Sequence, residues 1–147
     1  MSATKIRSEN RAEPGWLERF GEYCYKASMP RVVQYFRNEA TFEYESMIND
    51  LDRDLAPEME DVIAAQLPVD QGYLLHADRV LLPAMAERLN ADLSVAGQAT
   101  HRQLSGTCQG CTQVGRCWLA LRRGTRAAEL ERFCPNSQQL IALQPAQ

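Results

Sequence analysis

Four of the five cysteines fall between positions 108 and 134, spaced C-x2-C-x5-C-x16-C as Cys108-Gln109-Gly110-Cys111, Cys117 and Cys134, with Pro135 following the last. If the four thiols share one centre, every segment between them is tied to it, and only short, tightly turning elements suit the spacing. The C-x2-C step with Gly110 inside it lets the backbone turn so that two sulfurs converge. Cys117 and Cys134 complete a shell of four. Structural zinc usually draws its thiolates from two short pairs, and the second pair is missing. A cubane cluster accepts a short run plus a distant cysteine, and a proline after the last ligand recurs in bacterial ferredoxins, although their compact C-x2-C-x2-C run is absent here. The spacing ranks a 4Fe-4S cluster on Cys108, Cys111, Cys117 and Cys134 first. Zinc on the same four residues comes second, and thiol or disulfide chemistry without metal third.

A chain of 147 residues, 45% hydrophobic and 24% charged, suits one compact domain. No apolar run approaches the ~20 residues that span a bilayer, and the charged N-terminus lacks the apolar stretch of a secretory signal. A cytoplasmic location is expected, where thiols stay reduced and metal binding outranks disulfides. A net charge of -3 gives no footprint for nucleic acid. A protein partner is expected, no membrane, and the oligomeric state is left open.

Hydrophobic periodicity predicts a mainly α protein: a small helical domain with the four-cysteine site at its C-terminal end. Residues 1–13 read as a polar, disordered lead-in, 14–83 as an N-terminal helical region and 84–147 as a cysteine-rich helical region. Trp16, Leu17, Phe20, Tyr23, Cys24 and Ala27 mark a first helix with a buried stripe, stopping before Pro30. Val33, Phe36, Ala40, Tyr44, Met47 and Leu51 mark a second. A third starts near Pro57 and ends before Pro68, and Pro83 is expected to break the next. Asn90 is a candidate C-terminal cap, Asp92 and Thr112 candidate N-caps, Gly124 a left-handed stop, and Asn136 with Gln139 a capping-box-like start.

Other candidate sites are poorer. The two histidines, His76 and His101, sit at no ligand spacing, and His101 is only a second-choice ligand. Cys24 reads as a core residue. Glu58, Glu60 and Asp61 suit the positive end of a helix, and the aromatic-rich N-terminal region suits a core or a partner surface. There is no phosphate loop, dinucleotide fingerprint or serine nucleophile elbow, and no acid-base set accompanies the thiols, which argues against an enzyme.

From Met85-Ala86-Glu87-Arg88-Leu89, through Cys117-Trp118-Leu119, to Phe133-Cys134-Pro135-Asn136, the chain resembles an uncharacterised cysteine-rich domain family of proteobacteria, over about residues 85–143. The resemblance implies four shared cysteines and a bacterial, cytoplasmic origin, and no activity. The expected function is a small iron-sulfur protein for electron transfer or redox and oxygen sensing, with Gly110, Gly115 and the helix start at Asn136 supplying donors to sulfur, and Trp118 and Phe133 excluding water. The alternative is a zinc-stabilised or metal-free adaptor without catalytic activity.

Overall fold

The computed structural model describes residues 15–70 and 74–146. Among them run α1 (Trp16–Glu39), α2 (Thr41–Ile48), α3 (Pro57–Asp70), α4 (Ala77–Arg88), a 3₁₀ turn (Leu93–Val95), α5 (Gln98–Gln109), α6 (Val114–Arg122), α7 (Ala127–Phe133) and α8 (Ser137–Ala142), with no strand. The chain is mainly helical, as its periodicity predicts. The expected lead-in, residues 1–13, lies outside the described residues.

The prolines do not stop helices as expected. α1 continues through Pro30, α3 through Pro68 and α4 through Pro83. Proline withholds an N–H from the carbonyl four residues back. For Pro30 and Pro83 that carbonyl belongs to Lys26 and Arg79, both exposed residues within reach of water. Core contacts on either side then hold each helix together: Met29 and Val33 in α1, Leu81, Leu82 and Met85 in α4. The break falls instead at Ala40 (φ -127, ψ 53), so Val33 and Phe36 end α1 while Tyr44 and Met47 belong to α2.

Chain reversals follow the sequence more closely. Asn90 (φ 54) and Gly124 (φ 67) both adopt the left-handed conformation that ends helices. Asp92 accepts a bond from the Ser94 N–H, but it caps only the 3₁₀ turn, and α5 starts anew at Gln98. Thr112 caps nothing; Gln113 precedes α6 without a side-chain cap.

The buried side chains form two clusters. One gathers Met29, Val33, Tyr44, Ile48, Ile63, Leu67, Leu75 and Trp118 around α1, α2, α3 and α6. The other gathers Leu82, Met85, Leu89, Leu104, Leu130 and Leu140 around α4, α5, α7 and α8. α4 serves both, with Ala77 and Leu81 in the first and Leu82 and Met85 in the second. Cys108, Cys117 and Leu121 pack against both clusters, so two of the thiols stand at the seam between them.

Three contacts fix α6 against α2, α3 and the segment between them. The buried Trp118 indole donates to the Ile48 carbonyl at 2.8 Å. Arg122 pairs with Glu60 at 2.8 Å and donates to the carbonyls of Asp50 and Leu51 at 3.1 and 3.0 Å. Gly115 lies so close to α3 that a Cβ there would stand 1.9 Å from the Ala64 carbonyl oxygen. That carbonyl is the one to which Pro68 has no N–H to give, so the proline in one helix and the glycine in the other meet at the closest approach of α3 and α6.

Candidate metal centre

Cys108 lies in the last turn of α5, and the Cys111 N–H donates to its carbonyl at 3.3 Å, closing the turn that brings the C-x2-C pair together. Gly110 inside it has φ -99 and ψ 9, a conformation open to any residue, so the turn does not draw on glycine's freedom. Cys117 sits on α6. Cys134 follows α7 in extended conformation (φ -74, ψ 117) and leads into α8. These four side chains, contributed by four different segments, line a single cavity together with Leu81, Leu82 and Met85 of α4, Phe133, Asn136 and Leu140. Its free volume is ≈ 20 Å³, and it is partly open to solvent. All four thiols are free and half-buried.

N–H donors already face three of the sulfurs. The Asn136 side-chain amide donates to Cys108 Sγ at 3.3 Å and to the Leu104 carbonyl at 3.0 Å. The Gln113 backbone N–H donates to Cys111 Sγ at 3.3 Å. The backbone N–H groups of Asn136 and Ser137 face the Cys134 thiol and favour its charged form, and the Ser137 N–H donates to the Cys134 carbonyl at 3.1 Å. Asn136 therefore does not cap α8 with its side chain as expected; its carboxamide is spent on α5 and on Cys108.

Burial in this apolar surround disfavours the charged form of Cys108, Cys117 and Cys134. It pushes Cys108 up to about 12, with repulsion from Cys134 adding to it and the Asn136 amide opposing it. Burial likewise raises Cys117, followed by the charges that Cys134, Cys108 and Cys111 would carry. Cys134 is raised by burial, against the backbone N–H of Asn136 and with help from Cys111. Cys108 and Cys117 both feel the charge that Cys134 would carry. Among the described residues no three or more His, Cys, Asp or Glu side chains are gathered closely enough to hold an ion as they stand.

Several expected roles fall elsewhere. Trp118 does not screen the cavity; it is buried on the other side of α6 among the first cluster. Phe133 does line the cavity, with the Arg116 guanidinium 4.4 Å above its ring. Gly115 serves helix contact rather than sulfur. His101 is exposed on α5, about 10 Å along the helix from Cys108 at 1.5 Å per residue, and does not line the cavity. His76 lies 3.2 Å from Glu45, with its backbone N–H donated to Asn49 Oδ1, and does not line the cavity. Cys24 is exposed, not core, because the inner face of α1 is the one carrying Met29 and Val33. The residues missed from sequence are Leu81, Leu82 and Met85, readable as an i, i+1, i+4 face of α4, and the Asn136 side chain, two positions after a cysteine.

Residues 71–146, from the α3–α4 connection to the end of the described chain, match the model of a family of unknown function, DUF6455. The chain belongs to that family. The DUF6455 match holds all four clustered cysteines and Asn136, and it leaves α1, α2 and α3 outside. No curated protein and no solved structure matches the chain. No helix among the described residues is long and apolar enough to cross a membrane.

Proposed function

We propose that this DUF6455 protein is a small iron-sulfur protein of the cytoplasm, carrying an electron or sensing redox state or oxygen, with Cys108, Cys111, Cys117 and Cys134 as ligands of a 4Fe-4S cluster. The observation that carries this reading is that four thiols from four segments line one cavity. One short C-x2-C pair with two distant single cysteines suits a cubane cluster better than structural zinc, which usually draws on two short pairs. The N–H donors facing Cys108, Cys111 and Cys134 suit sulfur ligands, because hydrogen bonds to sulfur stabilise its negative charge and set the potential.

A cluster supplies one-electron redox chemistry when bound. The chain's own part is to deliver four thiolates, to exclude water with Leu81, Leu82, Met85 and Phe133, and to release the thiol protons. Neutral, buried thiols become thiolates only when a cation takes the place of the proton. No side chain lining the cavity is a carboxylate, histidine or lysine, which fits an electron carrier or sensor better than a hydrolase.

The test is the optical and magnetic spectrum of protein purified without oxygen. A broad absorption at about 400 nm that bleaches on reduction, with an electron paramagnetic resonance signal in one oxidation state, is the expected result. Colourless protein carrying one zinc per chain would replace this reading with a zinc-stabilised adaptor.

A further inference from the structure

The N-terminal half of α1 has outrun the core. From Trp16 to Ser28 every residue is exposed, and the first buried one is Met29. A free helical stretch of this length is marginal in water, and this one carries an apolar face that no described residue covers. At 3.6 residues per turn, Trp16, Phe20, Ala27 and Arg31 lie along one line, with Tyr23 and Cys24 on either side of it, and that line is opposite the Met29 and Val33 face that enters the core. Trp16, Leu17, Phe20 and Tyr23 are 71, 66, 61 and 68% exposed.

The stripe is complementary to itself in one orientation only. Its first half is bulky and aromatic, with Trp16 and Phe20, and its second half is small and cationic, with Ala27 and Arg31. Side by side in parallel, two copies would set Trp16 on Trp16 and Arg31 on Arg31. Reversed about a point between Tyr23 and Cys24, Phe20 meets Ala27 and Trp16 meets Arg31, a large residue in a small one's space and a guanidinium on an indole face. We propose that this face of α1 pairs antiparallel with the same face of a second copy of the chain, making the protein a two-fold symmetric dimer.

The available surface is sufficient. With aromatic side chains offering ~150–250 Å² each, the exposed parts of Trp16, Phe20 and Tyr23, with Leu17, Cys24 and Ala27, bring roughly 600 Å² per copy. Two copies reach about 1,200 Å², the lower end of a specific interface. The core-facing side of α1 is opposite the proposed contact, so the two bodies stand on either side of the paired helices. Cys24, exposed near the two-fold axis, comes beside Cys24 of the second copy.

Sedimentation velocity of the full chain across a broad concentration range tests this, with Phe20→Glu as the variant and circular dichroism as the check that it folds. A species of twice 16.6 kDa, lost in Phe20→Glu and captured by a short bis-maleimide joining Cys24 to Cys24, is the expected result. A monomer at every concentration would overturn the proposal, as would a dimer indifferent to Phe20→Glu. Wild-type monomer that binds anionic phospholipid vesicles through this face, and loses them in Phe20→Glu, would overturn it in favour of a lipid surface.

Discussion

The Asn136 carboxamide reaches back 28 residues to Cys108 Sγ and 32 residues to the Leu104 carbonyl, at 3.3 and 3.0 Å. One buried side chain thus ties the start of α8 to the last turns of α5, and it is the one side-chain N–H donor to a thiol among the described hydrogen bonds.

Asn136→Ala removes the amide donor to Cys108 Sγ and a second donor to the Leu104 carbonyl, which the α5 backbone ladder still serves, at a net cost of ~0.5–1.5 kcal/mol per bond. Asn136→Asp keeps the shape but turns a donor toward Cys108 into an acceptor, and is expected to cost more. Urea unfolding of the metal-free protein checks both, and unchanged midpoints would show that the amide carries no weight.

Gly115→Ala forces a methyl group onto the Ala64 carbonyl, 1.9 Å away as built. Backbone cannot yield as a flexible side chain does, so the helices must part, at a cost of about 1–3 kcal/mol or more. Gly106, in α5 with nothing within 4 Å of an added Cβ, is the control. Gly106→Ala is expected to stabilise by ~0.5–1 kcal/mol, because alanine loses less freedom in a helix. Opposite shifts of the two unfolding midpoints are the expected reading.

Arg122 and Glu60 pair at 2.8 Å with side chains only 5% and 12% exposed. Arg122→Ala leaves a buried carboxylate and strips donors from the Asp50 and Leu51 carbonyls, for a loss of about 3–5 kcal/mol. Glu60→Gln keeps an acceptor and is expected to lose less. Thermal unfolding of the two variants would contradict this if Glu60→Gln were the more damaging.

The raised thiols make the metal-free protein sensitive to alkali. Burial lifts Cys108 from an ordinary value of 9.0 to about 12, so between those values the unfolded chain has lost a proton that the folded chain keeps. The folded state binds more protons there, and stability must fall as pH rises. The contribution is intact below pH 9.0 and lost toward about 12. Cys108→Ala, compared with wild type by urea unfolding at neutral and alkaline pH, is expected to flatten that decline.

The helical class and the grouping of Cys108, Cys111, Cys117 and Cys134 were legible in the sequence. Short apolar steps and a dense cysteine segment are local signals. Gly124 and Asn90 were legible for the same reason, since a left-handed stop depends on one residue. Pro30 and Pro83 do not break their helices because Lys26 and Arg79 are exposed, which makes the lost backbone bond cheap, and sequence does not reveal that. Which face of α1 turns inward was hidden too: its outward stripe is as apolar as its inward one, and only packing against α2 and α3 chooses Met29 and Val33. Asn136 suggests a cap because a local bond is what its position offers, whereas its partners are remote in sequence.

The most direct measurement is iron and acid-labile sulfide per chain, in anaerobically purified wild type beside Cys24→Ala and the four single Cys→Ser variants at 108, 111, 117 and 134. Wild type and Cys24→Ala are expected to carry the same full complement, since Cys24 stands exposed on α1. Cys134→Ser, which opens the longest loop round the site, is expected to lose the cluster and, by hydrogen exchange, protection across α6 to α8 while α3 keeps its own. Metal binding is folding free energy in such a site. Wild type without iron, or Cys134→Ser with full iron and unchanged protection, would contradict a cluster held by these four cysteines.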